Sequence, residues 1–235
     1  MNALTARERM LGRLRAAAPA TVATTTAEID QRIDTHYAAR SHGTPARAEL
    51  VASMQAALEA SHAEVWCTGP SQWPALLAEK LAQAGVQCLL LNPTQPAGAA
   101  LKQALPPQIE AIGYDRPIEQ WKAELFDTVD AGFTVARSGL AATGTLILAP
   151  DAGSPRTVSL VPPLHVALVY ASTLHADLHS AARAERWREG MPTNLVMVSG
   201  PSKTSDIQQT LAYGAHGPRQ LWVVIVDDSN AGSQA

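Results

Sequence analysis

Four loops of this 235-residue chain carry side chains that could hold an anion. Ser199-Gly200-Pro201-Ser202 ends the apolar run Leu195 to Val198 and leads directly into Lys203, Thr204 and Ser205. Ser202, Thr204 and Ser205 are good helix N-caps, and Ser205 with Gln208 has capping-box spacing. The pattern predicts a strand, a tight turn and a helix. Its free N–H groups, with the Lys203 ammonium beside them, would face a bound anion. Neither a Walker A nor a G-x-G-x-x-G pattern accompanies the turn, and any strand-to-helix connection needs Gly, Pro and a cap.

Three further loops belong with it. Ala142-Thr143-Gly144-Thr145 offers hydroxyls and a glycine for close backbone approach. Arg156 could grip a carboxylate or phosphate with two parallel hydrogen bonds. Gly214-Ala-His216-Gly-Pro218 is a turn whose histidine could carry a proton. Each loop alone is ordinary turn chemistry; gathered at one mouth, they would make an anion-binding cleft.

His175 and His179 stand four residues apart on a predicted helix, a spacing that can bind a metal. No H-E-x-x-H frame or third ligand accompanies them, so a solvated face is the better reading, and no metal is expected. His165 lies inside an apolar strand and reads as a core histidine. No Gly-x-Ser-x-Gly elbow or catalytic triad is present.

The elements that must position these residues follow from composition and periodicity. With 46% hydrophobic residues the chain can bury a sizeable core. Its net charge of −3, with no basic stripe, argues against nucleic acid as a partner. The N-terminus, with Arg7, Arg9, Arg13 and Arg15, has no apolar core of a secretory leader, and no apolar run reaches about 18 residues, so neither a leader nor a membrane span is expected, which points to the cytoplasm. Cys67 and Cys88 read as small core residues, and two thiols cannot supply an iron–sulfur cluster.

Residues 1–61 read as a helical extension. Thr5 and Glu8 form a capping box, a second helix spans Ala27 to Ala39, and a third starts near Pro45 with Leu50, Met54 and Leu58 on one face. Residues 62–229 read as an α/β domain, and 230–235 as a frayed tail. Val65 to Thr68, the helix bearing Leu76, Leu77 and Leu81, and Val86 to Leu91 make a βαβ unit, so part of the sheet is parallel. Short turns separate Thr145 to Ala149, Val158 to Val161 and His165 to Tyr170, which predicts antiparallel pairing with a hairpin at Asp151. A helix from Ser172 to Glu189, another reaching Tyr213, and a last strand from Leu221 to Val226 complete the reading.

From Asp130 to Asp228 the chain resembles the lactate utilization protein C family, the LUD-domain proteins. Five motifs, in order, carry the resemblance: Ala131-Gly-Phe-Thr-Val-Ala, Leu140-Ala-Ala-Thr-Gly-Thr-Leu, Arg156-Thr-Val-Ser-Leu-Val-Pro-Pro-Leu-His-Val-Ala, Ser199-Gly-Pro-Ser-Lys-Thr-Ser-Asp-Ile, and His216-Gly-Pro-Arg219. The resemblance implies a layered α/β fold of the NagB/RpiA/CoA-transferase kind with a mixed sheet. It also implies a part in oxidising L-lactate to pyruvate, beside partner proteins that carry the iron–sulfur clusters. The chain itself would hold no cofactor.

Relatives usually carry an acidic residue where this chain has Ala142, and another where it has Gln208. Val135 and Arg137 likewise stand where glycine and an acidic residue are common. Ala142 removes the covalent nucleophile of CoA transferases, so no catalytic residue is carried over. The leading expectation is a component without a cluster that binds a small anionic ligand through Thr143, Gly144, Thr145, Arg156, Ser199, Gly200, Ser202, Lys203, Thr204 and His216. The alternatives are a stand-alone enzyme of the CoA-transferase or formyltetrahydrofolate cyclo-ligase kind, and a non-catalytic assembly subunit.

Overall fold

The computed structural model describes residues 5–18, 25–39, 43, 45–205 and 211–229. It divides into two compact units, 1–44 and 45–235. In the first, α1 (Ala6–Ala17) and α2 (Thr26–Ala38) each open on a full capping box, Thr5 with Glu8 and Thr25 with Glu28. Neither helix buries a residue, so the caps are their main local support.

The boundary lies at 44/45 rather than 61/62, because α3 (Arg47–Ala60) belongs to the α/β unit. Met54 and Leu58, spaced to share one helix face, are fully buried there. Ser53 also donates to the Ala141 carbonyl at 3.2 Å.

Six strands build the main sheet: β1 (Glu64–Thr68), β2 (Cys88–Leu90), β3 (Glu110–Ile112), β4 (Ala131–Val135), β7 (Leu164–Tyr170) and β12 (Gln220–Val226), in the order β1-β12-β7-β4-β2-β3. All five pairings are parallel. The central strands β7 and β12 are buried on both faces and are accordingly apolar throughout most of their length. Val166, Leu168 and Val224 point toward Leu77 and Leu81 of α4 (Trp73–Gln83) and Leu101 of α5 (Pro96–Ala104). Ala167, Val169, Val223 and Ile225 pack on the other side with α3 and a second sheet.

That second sheet, in the order β8-β5-β6-β9, joins β5 (Ser138–Leu140), β6 (Thr145–Leu148), β8 (Leu174–His175) and β9 (Val196–Val198). Its β5–β6 and β6–β9 pairs are antiparallel and its β5–β8 pair is parallel. The result is a layered α/β unit with a parallel central sheet and a smaller mixed one. No helix among the described residues is long and apolar enough to cross a membrane.

Three local expectations are overturned. Thr157–Leu160 is a one-turn helix, α7 (after α6, Lys122–Asp127), not a strand, and the turn at Asp151 carries the chain from the small sheet to the large one instead of closing a hairpin. A four-residue apolar run has no decisive period. Here the packing decides: Gly132 of β4 lies so close to α7 that a Cβ would sit 2.0 Å from the Val158 carbonyl oxygen. The long helix expected over 172–189 is instead β8 followed by α8 (Leu178–Ala184), capped by Asp177.

The third correction concerns Lys203. Lys203–Ser205 is a strand, β10, paired antiparallel with β11 (Leu211–Tyr213). Ser202 N–H donates to the Pro218 carbonyl at 2.8 Å, and Gly214 N–H to the Ser202 carbonyl at 2.9 Å. These bonds hold the segment in an extended hairpin, so no helix N-terminus faces an anion at Ser202 to Ser205. Asp206 and Gln208 lie outside the described residues, as do 230–235.

Candidate functional site

The register of the small sheet brings the first of the expected site residues together. β6 pairs with β9 so that Leu146 faces Val198, which sets Thr145 opposite Ser199 one step further on. Their hydroxyls bond at 2.8 Å, and Thr143 joins Thr145 at 2.7 Å. Three hydroxyls thus run in a chain from the turn before β6 to the loop after β9.

Ser199 opens onto a cavity of about 210 Å³ between the two sheets. Ser199, Gly200 and Ser202 line one side, and His216, Gly217 and Pro218 another. The loops fit closely: a Cβ at Gly217 would lie 3.2 Å from that of Ser202, and one at Gly200 would lie 2.9 Å from the Ser61 carbonyl oxygen. Four of the ten expected residues, from segments 14 to 17 positions apart, therefore line one cavity.

His165, a core histidine by its sequence setting, closes the cavity's inner end. It is the second residue of β7, directly opposite Gly132 of β4 and Leu221 of β12. The side chain is 1% exposed, and burial pushes its imidazole down to about 4, so it is neutral near pH 7. Thr134 Oγ1 and His165 Nε2 lie 2.8 Å apart. Nδ1 is buried without a hydrogen-bond partner among the described residues. If the Thr134 hydroxyl donates to Nε2, the neutral ring carries its proton on Nδ1 as an unmatched donor. Ser159, expected on a strand, also lines the cavity from α7. The one available signal for both was a polar residue interrupting an apolar run.

The other expected residues lie elsewhere. Gly144, at φ +59°, is needed by α3: a Cβ there would come within 2.7 Å of the Leu58 nitrogen. Arg156 is exposed at the start of α7, Lys203 is exposed on the hairpin, and Thr204 follows it half-buried. None of these four lines the cavity. No Lys, Arg, Asp or Glu among the described residues does so either, leaving hydroxyls, amides and imidazoles to meet a ligand. A carboxylate nucleophile has no candidate there.

A second polar cluster, missed in the sequence, centres on Glu185. Its carboxylate accepts from Ser138 Oγ and, at 3.0 Å, from Trp187 Nε1. Arg137 Nε lies 2.8 Å away and His175 Nε2 4.0 Å away. Burial pushes the carboxyl up, but the two hydrogen bonds and the Arg137 and His175 charges outweigh it and hold it below its ordinary value. His175 sits on β8 and His179 on α8, so the expected helical pair does not form. No cluster able to hold a metal occurs among the described residues.

Cys88 is half-buried, and burial, with Glu110 and other carboxylates nearby, pushes its thiol up to about 11. Cys67 is exposed rather than core, on the edge strand β1, and its thiol is also raised, by partial burial of the sulfur and by the Glu59 and Asp227 carboxylates. Neither is an activated thiolate.

A family model described as the LUD domain matches residues 51–226. An uncharacterized protein of Neisseria meningitidis serogroup B is 43% identical over 173 residues, covering 73% of this chain and 74% of that one. Lactate utilization protein C of Shouchella clausii is 39% identical over 116 residues, about half of each chain at 48%. Lactate utilization protein C of Oceanobacillus iheyensis is 24% identical over 187 residues, 76% of this chain and 80% of that one. The crystal structure of a DUF162 family protein from Deinococcus radiodurans superposes with a TM-score of 0.56 at 24% identity, covering 77% of this chain and 99% of that one, a likeness of fold. With three quarters of its length inside the family model, the chain belongs to the LUD domain family.

Proposed function

We propose that this chain serves in L-lactate utilization, as a component without a metal cluster in a system that oxidises L-lactate to pyruvate. Iron–sulfur partner proteins carry the electrons, and this chain binds a small carboxylate in the cavity at Ser199, Ser202 and His216. The observation that carries the reading is the convergence of those residues, from two separate family motifs, on one cavity closed by the neutral His165. The names of the Shouchella and Oceanobacillus relatives support the pathway. A cavity of about 210 Å³ suits a molecule of a few heavy atoms, below the usual drug-sized range of about 300–1,000 Å³.

Hydroxyl and amide donors can receive a carboxylate without a buried countercharge, as at other anion sites built from the backbone. The Thr143–Thr145–Ser199 chain orients Ser199 and polarises it toward the ligand. His216, at the rim, supplies a second donor.

Calorimetric titration of the purified protein with L-lactate and pyruvate tests the binding. Saturable binding of one of them is expected, weakened about tenfold in Ser199→Ala and in His216→Ala, as loss of a hydrogen bond to a charged group requires. Lys203→Ala, outside the cavity, is expected to change little. Heats absent for both acids, or variants that bind like the parent, would end the ligand assignment. Growth on L-lactate after deletion of the gene tests the pathway separately, and unimpaired growth would end that part.

A further inference from the structure

We propose that a second cleft, at the carboxyl ends of β2 and β3, binds a nucleoside phosphate. It has a volume of about 710 Å³ and lies between Asn92 and Thr94 after β2, Tyr114 to Arg116 after β3, and Lys102 of α5. Open parallel sheets bind their ligands outside the carboxyl ends of the strands, where the loops diverge. The cavity of His165 is at the other end, against the second residues of β7 and β12. The cleft's volume lies in the range of about 300–1,000 Å³ usual for cofactor sites, and a three-carbon acid would leave most of it empty.

Its wall separates into a cation, an acceptor and a flat apolar surface. Arg116 is already engaged: both oxygens of Glu124 take its Nη2, at 2.7 and 2.8 Å, and it lies 5.1 Å over the Trp121 ring. The Lys102 ammonium forms no ion pair among the described residues, which leaves it for a phosphate. Asp115 has an 80% exposed side chain and only a 3.8 Å contact to Arg116. It follows a parallel strand, and an acidic residue in such a place can accept from the two ribose hydroxyls.

Pro93 and Ile112 supply the apolar floor. The Tyr114 ring, held edge-on to Trp121 at 5.0 Å, offers an aromatic surface to a base. Asn92 Oδ1 accepts from Thr94 N and Oγ1 at 3.0 and 2.7 Å, which leaves its amide NH₂ to donate to the ligand.

Calorimetry on the full chain with ADP, ribose 5-phosphate and inorganic phosphate tests the assignment. ADP is expected to bind most tightly and phosphate most weakly. Lys102→Gln, an exposed and unpaired position, should weaken all three by about tenfold. Asp115→Asn should weaken ADP and ribose 5-phosphate by about threefold or more and leave phosphate unchanged. Ser199→Ala should leave ADP binding unchanged, which separates this cleft from the carboxylate cavity. No heat with any probe, or a Lys102→Gln protein that binds ADP like the parent, overturns the site. Ribose 5-phosphate binding as tightly as ADP overturns the nucleoside assignment.

Discussion

Thr145 and Ser199 are 54 residues apart in the chain, yet their hydroxyls share a 2.8 Å hydrogen bond across the β6–β9 pair. The bond fixes the start of β6 against the loop that lines the cavity. Thr145 is 6% exposed while Thr143 and Ser199 are exposed, so Thr145→Val removes the partner that the two hydroxyls share and leaves both to water. The expected cost is about 1–2 kcal/mol in urea unfolding, largely recovered in Thr145→Ser. An unchanged midpoint for Thr145→Val would show that the bond contributes nothing.

His165 makes stability depend on pH. Its ordinary value is 6.5 and its folded value about 4, so between them the unfolded chain binds the proton and the folded chain does not. The native state is therefore fully favoured above pH 6.5 and loses stability as pH falls toward 4, by at most about 1.4 kcal/mol per pH unit. Chemical denaturation from pH 7.5 to 4.5 should show this slope, and His165→Gln should flatten it.

Glu185 has a depressed pKa and gives a second acid-sensitive contribution, lost as pH falls below its ordinary 4.5. Glu185→Ala strands the Ser138 hydroxyl, which is 1% exposed, at an expected cost of about 1–3 kcal/mol. Arg137, with a side chain 41% exposed, adds little through its charge, so Arg137→Ala should cost under about 1 kcal/mol. Thermal melts of the two variants distinguish the contributions; equal losses would assign the energy to the ion pair.

Gly144→Ala combines two penalties. The backbone is left-handed at φ +59°, and the new methyl would meet the α3 backbone at 2.7 Å and 2.9 Å. Strain and overpacking together predict a loss of about 2–4 kcal/mol. A melting temperature within a degree or so of the parent would mean that α3 moves aside at little cost.

Much of this protein could be read from local pattern. The Thr5–Glu8 capping box, the strand–helix–strand order from Glu64 to Leu90, the apolar last strand and the ordered motifs of the LUD domain family all rest on neighbours a few residues apart. Caps and periodicity are short-range causes, so one chain suffices to show them. Where two states were locally near-equal, tertiary contacts chose. Thr157–Leu160 turned helical against Gly132, and Lys203–Ser205 stayed extended because Pro218 and Gly214 bond to Ser202.

The sites were legible only in part, for the same reason. Ser199, Gly200, Ser202 and His216 stood out as turn residues with donors. The pairing of Thr145 with Ser199 came from sheet register, and the role of His165 came from its burial beside Thr134. Sequence alone determined the inventory of donors, caps and apolar strands. Only the tertiary structure decided which donors share a cavity, because register and sheet stacking depend on contacts between residues tens of positions apart.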